Sequence, residues 1–163
     1  MKEKKDFLNF IRELSTALSG KNDLQEIAWI ITQKIIGRYK FDDCVIFIIK
    51  HGFLYQLADY KPKSNEVKGI FESIRIKLGQ GIVGTVAVTG VAEIIKDNTK
   101  DVRYIVDDDL RLSELTVPII ADKEIVGIID SEHSERDFYT KEHLEEISTI
   151  ANLVSLPIKS AIK

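Results

Sequence analysis

Between Asp43 and Ser131 the chain strings together strand-like runs with only one short helical stretch among them, and this clustering constrains the fold more than any other feature. Cys44-Val-Ile-Phe-Ile-Ile49 is rich in β-branched residues and bounded by charges, as a strand buried on both faces would be. His51-Gly52 marks a turn into a hairpin partner, Phe53–Tyr60. A polar loop around Pro62 covers Lys61–Lys68; Ile74, Ile76 and Leu78 then alternate with Arg75 and Lys77 as a half-exposed strand. Val91–Ile95 reads as a short strand and Asp97–Asp109 as a long polar loop. Ser113–Ala121 and Lys123–Ser131 are two more strands around a tight turn at Asp122. Parallel strands require a crossover of a dozen or more residues, usually a helix. No long helix separates each pair here, so the expectation is an antiparallel sheet in an α+β fold.

Long helical periodicity is confined to the two ends. Phe7, Ile11, Leu14 and Leu18 fall at helical spacing and Gly20 is a natural stop, giving an N-terminal helix within residues 1–20. Asp23 with Glu26 three residues on looks like a capping box. It opens a second helix with Leu24, Ile27, Ala28, Ile31 and Ile35 as its apolar stripe, ending near Gly37. Thr140 caps a last helix, residues 141–162, whose stripe is Leu144, Ile147, Ala151, Val154 and Ile158. Pro157 removes a backbone donor there and should bend or end it.

At 163 residues, 44% apolar and 30% charged, the chain reads as one soluble globular domain. Its 23 basic residues are scattered and its net charge is −3, which leaves no footprint for nucleic acid. The longest purely apolar run, Cys44–Ile49, is far too short to span a membrane. MKEKKDFLNFIRELS becomes amphipathic at once instead of forming a secretory signal. A single cysteine excludes an internal disulfide and a thiolate-rich metal site. The expected location is cytoplasmic.

The one internal helical stretch, Ile82–Val88, follows glycines at 79, 81 and 84 and halts at Gly90. The GxGxxG spacing, with Asp97 or Asp101 roughly twenty residues on, imitates a dinucleotide fingerprint. A cofactor fold of that kind needs a buried parallel strand before the glycines and a long crossover helix after them. Here Arg75 and Lys77 leave one strand face wet, and a helix of about eight residues is roughly 12 Å long. Turn chemistry explains the motif better: Gly79 and Gly81 allow the backbone angles of a turn, and Gly84 allows close packing.

Leu78-Gly-Gln-Gly-Ile-Val-Gly-Thr-Val-Ala-Val-Thr-Gly90 resembles the glycine-rich segment of GAF domains. So, in the same order, do Asp101-Val-Arg-Tyr104, Ser113-Glu-Leu-Thr-Val-Pro-Ile119, Ile125-Val-Gly-Ile-Ile-Asp-Ser-Glu-His133 and Phe138-Tyr-Thr140. The resemblance covers about Leu24 to Ile162. It implies a central antiparallel sheet with the terminal helices on one face and a ligand pocket on the other. Gly81, Ile82, Val83 and Gly84 would help roof that pocket. GAF domains mostly serve as sensory modules that bind a small molecule and often pair through terminal helices, so signal transduction is the implied role. Their ligands vary widely, and the fold does not choose one.

One enzymatic branch of that family, the free methionine-(R)-sulfoxide reductases, works through a cysteine sulfenic acid and a resolving disulfide. Its cysteines would fall near Ser73, at Val83 and near Val106, and none of these is cysteine. Cys44, in a very apolar strand, reads as a core thiol. No catalytic residue is assigned on this ground. Three carboxylates of that branch's substrate pocket do have counterparts, Glu114, Asp130 and Glu132. Alternation puts Asp130 and Glu132 on one strand face, and Glu114 with Thr116 on one face of the neighbouring strand. A two-residue loop at Asp122 would set Glu114 opposite Ser131 and on the other face. A three-residue loop, or a bulge near Pro118, would bring all three acids together. Converging, they call for a cation, an amine or raised pKa values; otherwise Glu114 and Asp130 bond local amides and Glu132 is solvated.

Asp97, Arg103 and Tyr104 would border the pocket mouth. An Asp97–Arg103 ion pair fixing that loop stands beside direct ligand contact as an expectation. Arg103 would also offset the carboxylates and favour a zwitterion such as an amino-acid derivative. Bilin attachment lacks a suitably placed cysteine, and the cyclic-nucleotide pattern fails where Thr99 follows Asn98. His51, His133 and His143 read as surface positions, not haem ligands, and no metal-ligand spacing is present. No cofactor is assigned. The first helix's heptad-like order suits either packing on the chain's own last helix or a homodimer. No kinase, cyclase or DNA-binding segment accompanies the domain, so any output would pass to a separate effector chain.

Overall fold

The computed structural model describes residues 1–62, 66–68, 75–106 and 110–163, with the backbone alone for 66–68. Among these residues four α-helices and seven strands occur in the order α1 (Lys2–Leu18), α2 (Leu24–Tyr39), β1 (Cys44–Lys50), β2 (Phe53–Lys61), β3 (Glu66–Lys68), β4 (Arg75–Lys77), α3 (Gly81–Thr89), β5 (Glu93–Ile95), β6 (Ser113–Ala121), β7 (Glu124–His133) and α4 (Lys141–Ala161). The strands form one sheet in the order β3-β2-β1-β7-β6-β5, with β4 also bonded to β2. Every pairing is antiparallel, as the clustered strands required.

Alternation along β1 divides the interior in two. Cys44, Ile46 and Ile48 join the large core with Ile27, Ile31 and Ile35 of α2 and Ile147, Val154 and Ile158 of α4. Val45 and Phe47 face the other way and pack with Val83, Val86 and Ala87 of α3. Phe10, Leu14 and Leu18 of α1 are buried against the same large core, with Leu8 exposed. The first helix therefore packs on its own chain.

Local signals hold at most boundaries. Asp23 accepts the Glu26 N–H at 2.8 Å, and Thr140 Oγ1 accepts the His143 N–H at 3.1 Å. Gly79 and Gly81 have φ of 85° and 69°, as the turn chemistry demands. A Cβ on Gly84 would stand 2.9 Å from the Lys77 carbonyl oxygen, so the third glycine serves close packing. Three expectations are corrected. The second helix runs past Gly37 to Tyr39 and is capped by Lys40 in the left-handed region. Residues 66–68, expected in a loop, pair with Asp59–Lys61 as β3. The last helix keeps its expected span and is not ended at Pro157: it continues to Ala161, because Ile158 and Ala161 still bury their side chains.

Candidate functional site

The site begins with a register shift. β6 and β7 are joined by a two-residue turn, Asp122-Lys123, with φ of 51° and 66°. Alone, that turn would put Glu114 opposite Ser131. Ile120 pairs with Ile125 but Ile119 pairs with Gly127, leaving Val126 as an extra residue on β7. This bulge brings Glu114 opposite Glu132 and Thr116 opposite Asp130. Of the two alternatives anticipated, a longer loop or a bulge near Pro118, the second is the one observed, its extra residue being Val126 across from Ile119 and Ile120, and its effect is the convergence of all three acids. A second bulge, between Ile46 and Phe47, leaves Leu57 extra and sets Asp59 opposite Val45, which in turn faces Asp130.

These rows floor a cavity of about 290 Å³, near the lower end of small-molecule sites. Asp43, Asp59, Glu114, Asp130 and Glu132 all line it. Val45, Phe47 and Ile76 supply apolar wall, Gly81, Ile82 and Val83 of α3 roof it, and Tyr104, Ile105 and Val106 border it. Of the sequence-derived positions, Glu114, Asp130, Glu132, Tyr104, Gly81, Ile82 and Val83 line the cavity. Thr116 stands behind the acids and holds them, and Gly84 packs behind the roof on Lys77 and Gly79.

The acids share too few protons and too little water. Glu114 and Asp130 are 3% and 6% exposed. The Thr116 hydroxyl lies 2.6 Å from Asp130 Oδ1 and 3.2 Å from Glu114 Oε1. It has a single hydrogen, so the short contact is its donated bond and the longer one fits a proton supplied by Glu114. Burial, then the neighbouring Asp130 and Glu132, push the Glu114 carboxyl well above its ordinary range. Burial also pushes Asp130 up to about 7. Asp43, whose carboxylate accepts the Glu132 N–H at 2.7 Å, is raised by burial and by Glu132. Tyr104 is pushed up to about 12, first by burial and also by Glu132 and Glu114; its hydroxyl accepts the Arg111 N–H.

The mouth differs from expectation. Arg103 does not pair with Asp97; its guanidinium binds Asp101 at 2.7 Å and Glu93 at 2.9 Å and takes no part in lining the cavity. Asp97 binds Arg136 at 2.9 Å and caps the turn at Thr99, also away from the cavity. Arg103 therefore braces the Asp101–Val106 loop against β5 and does not offset the acids. Among the described residues the cations that line the cavity are Lys61 and Arg75. The sequence reading missed these two along with Asp43 and Asp59. An acid lodged in an otherwise apolar strand run, as Asp59 is, was the available signal.

The histidines need correction as well. His133 is buried, stacked on Phe138 at 3.5 Å between centroids, and His143 is half-buried under the α4 cap. Among the described residues no group of three or more His, Cys, Asp or Glu side chains is arranged to hold a metal ion. Cys44 is buried in the helix-side core, and burial pushes its thiol far up. Among the described residues no helix is long and apolar enough to cross a membrane.

Comparison with known proteins agrees with this architecture. A GAF domain of a phosphoenolpyruvate-protein phosphotransferase from Coxiella burnetii superposes with a TM-score of 0.82 at 20% identity, covering 95% of this chain and 94% of that one. Free methionine-R-sulfoxide reductase from Neisseria meningitidis, solved with its substrate, gives 0.80 at 13% identity over 95% and 89% of the two chains. The type II enzyme from Thermoplasma acidophilum gives 0.73 at 23% identity over 86% and 98%. At such identities the likeness concerns the fold. In sequence, a free methionine-R-sulfoxide reductase of Saccharomyces cerevisiae is 35% identical over 81 residues, 47% of this chain and 45% of that protein, so the match spans less than half of either. A sequence model of the GAF domain matches residues 21–158, and the chain belongs to the GAF domain family.

Proposed function

We propose that this GAF domain is a sensory module whose acidic cavity binds a small molecule through a cationic amine and performs no chemistry on it. The observation that carries the reading is the gathering of five carboxylates around one cavity of about 290 Å³. Like charges about 4 Å apart repel by about 4 kcal/mol at an effective dielectric near 20. An ammonium group entering that cavity relieves the repulsion and meets acceptors on several sides. Raised carboxyl pKa values are the response of the same cavity when no cation is there.

The absence of chemistry rests on thiols. By resemblance to the sulfoxide reductases, the reacting cysteines would stand near residues 73, 83 and 106. Val83 and Val106 line the cavity, and Ser73 lies outside the described residues. The chain's single cysteine, Cys44, points into the opposite core, so a nucleophile and a resolving partner are both missing. For output we propose pairing of two copies through the terminal helices and relay to a separate effector chain. Exposed Leu8 on α1 and Leu156 on α4 support that surface.

Calorimetric titration with n-alkylamines tests the reading. Binding to the wild type should weaken at least tenfold in Glu114→Gln and in Asp130→Asn, and undiminished affinity in both overturns it. A thioredoxin-coupled assay with free methionine-R-sulfoxide should show no turnover. Sustained turnover would establish the reductase reading in its place.

A further inference from the structure

We propose that Gln56 forms an uncharged end of the same cavity, so that the ligand carries one ammonium group and, at its far end, a neutral carboxamide; this rests on the amine reading of the acidic end. Gln56 and Asp59, three residues apart, would lie on opposite faces of a regular strand. The bulge at Leu57 changes that: Gln56 stands opposite Phe47 and Asp59 opposite Val45, on the sheet face that carries Asp130. Gln56 lines the cavity, and among the described residues its carboxamide has no hydrogen-bond partner. The other polar groups away from the acids are engaged or turned aside. Lys61 is ion-paired with Asp59 at 3.4 Å, and the Tyr104 hydroxyl is held by the Arg111 N–H. Arg75 stands opposite Tyr55, which packs against the helix-side core, and its guanidinium lies 4.3 Å over the centroid of the Phe53 ring.

The register sets the distance between the two ends. Gln56 on β2 and Asp130 on β7 are separated by β1, and they are offset by the two residues from Val45 to Phe47. At about 4.8 Å per strand and 3.4 Å per residue, the two backbones lie about 12 Å apart. Both side chains reach into that span from its ends, which leaves a gap for a few methylenes. Val45 and Phe47 floor it and Val83 packs over them, so hydrocarbon meets an apolar surface. A carboxamide both donates and accepts, so it answers another carboxamide with two hydrogen bonds. A carboxylate at this end would meet the donors of Gln56 but also the repulsion of five acids. A second ammonium would lie over the apolar floor, since Asp59 of the same strand already holds Lys61.

The probes are ω-aminocarboxamides from glycinamide to 8-aminooctanamide, each measured by calorimetry against the n-alkylamine of equal carbon number. Diamines and ω-amino acids of the same lengths supply a far end of either charge. At one or more lengths the amide should bind the wild type about tenfold tighter than the amine, and tighter than both charged analogues. That ratio should fall to about one in Gln56→Met, which keeps the side chain's length and loses its amide. In Gln56→Asn the carboxamide is withdrawn by one methylene, so the best ligand should become about one carbon longer. Gln56 is only partly buried, so both variants should fold, as circular dichroism melting reports. A ratio near one at every length, a charged series that outbinds the amides, a ratio that survives Gln56→Met, or an optimum that stays put in Gln56→Asn overturns the Gln56 subsite alone. If no series binds the wild type, the amine reading falls and the subsite falls with it.

Discussion

Replacing Asp130 by Asn removes one charge from the cavity while keeping the side chain's shape. The Asp130 carboxyl is fully buried, and burial raises its pKa from 3.8 to about 7. The unfolded chain loses that proton near pH 4, whereas the folded protein keeps it until about pH 7. Between those values the folded state binds the extra proton. Wild-type stability from this group is therefore highest at acid pH, falls as pH rises through the window, and levels off above it. Three pH units at about 1.4 kcal/mol each amount to about 4 kcal/mol. Asn has no such titration, and its carbonyl oxygen still accepts the Thr116 hydroxyl that lies 2.6 Å from Asp130. Asp130→Asn should then match the wild type near pH 4 and exceed it by about 4 kcal/mol at pH 8. Loss of the Asp130 charge also relieves Glu114, which adds in the same direction. Asp97 and Asp101 have lowered pKa values and act with the opposite sign, but both proteins contain them and they cancel in the difference. Urea unfolding of the two proteins from pH 4 to 8 gives the curve. A stability difference that is flat with pH, or that grows toward acid, would show that Asp130 does not hold its proton in the folded protein.

Three further outcomes follow from the packing. Gly127→Ala should cost on the order of 3 kcal/mol or prevent folding, because a Cβ there would overlap the Phe47 carbonyl oxygen of the adjoining strand; urea midpoints and expression yield report it. Thr140→Ala removes the α4 cap and should cost about 1 kcal/mol, seen as a lower melting temperature with unchanged ligand affinity. Arg103→Gln cuts the bridge from Glu93 to Asp101, whose side chains are partly exposed, so global stability should change by less than about 1 kcal/mol. Amide exchange in residues 101–106 should nevertheless speed up, since that bridge braces the cavity wall.

Much of the frame was legible because local chemistry and tertiary need agree along it. Ser113–Ala121 is observed with the bounds its pattern implied, and Asp23 and Thr140 cap the helices they precede. The glycine segment reads correctly once its flanks are weighed, since a wet strand and a nine-residue helix are wrong for a dinucleotide fold. What stayed hidden was settled by partners distant in sequence. Whether Glu114 meets Asp130 and Glu132 depends on one extra residue at Val126; Pro118 marks where a bulge can sit, but the choice between it and a regular two-residue hairpin is made by the pairing of the two strands. Arg103 chooses Glu93 and Asp101 over Asp97 because β5 delivers Glu93 to the same sheet face as Thr116. His133 is buried because Phe138 folds back over it, a contact that polar neighbours in the sequence conceal. Pro157 fails to end α4 since the packing of Ile158 and Ala161 outweighs one lost backbone bond.

On the proposed function, the acidic cavity receives a cation in exchange for its own protons. Calorimetric titration of the wild type with an n-alkylamine at pH 6.5, repeated in two buffers of different ionisation enthalpy, measures both events together. Saturable one-to-one binding with net release of protons to buffer is expected, because a bound ammonium lowers the raised carboxyl pKa values of Glu114 and Asp130. Binding without proton release, or with proton uptake, would contradict it.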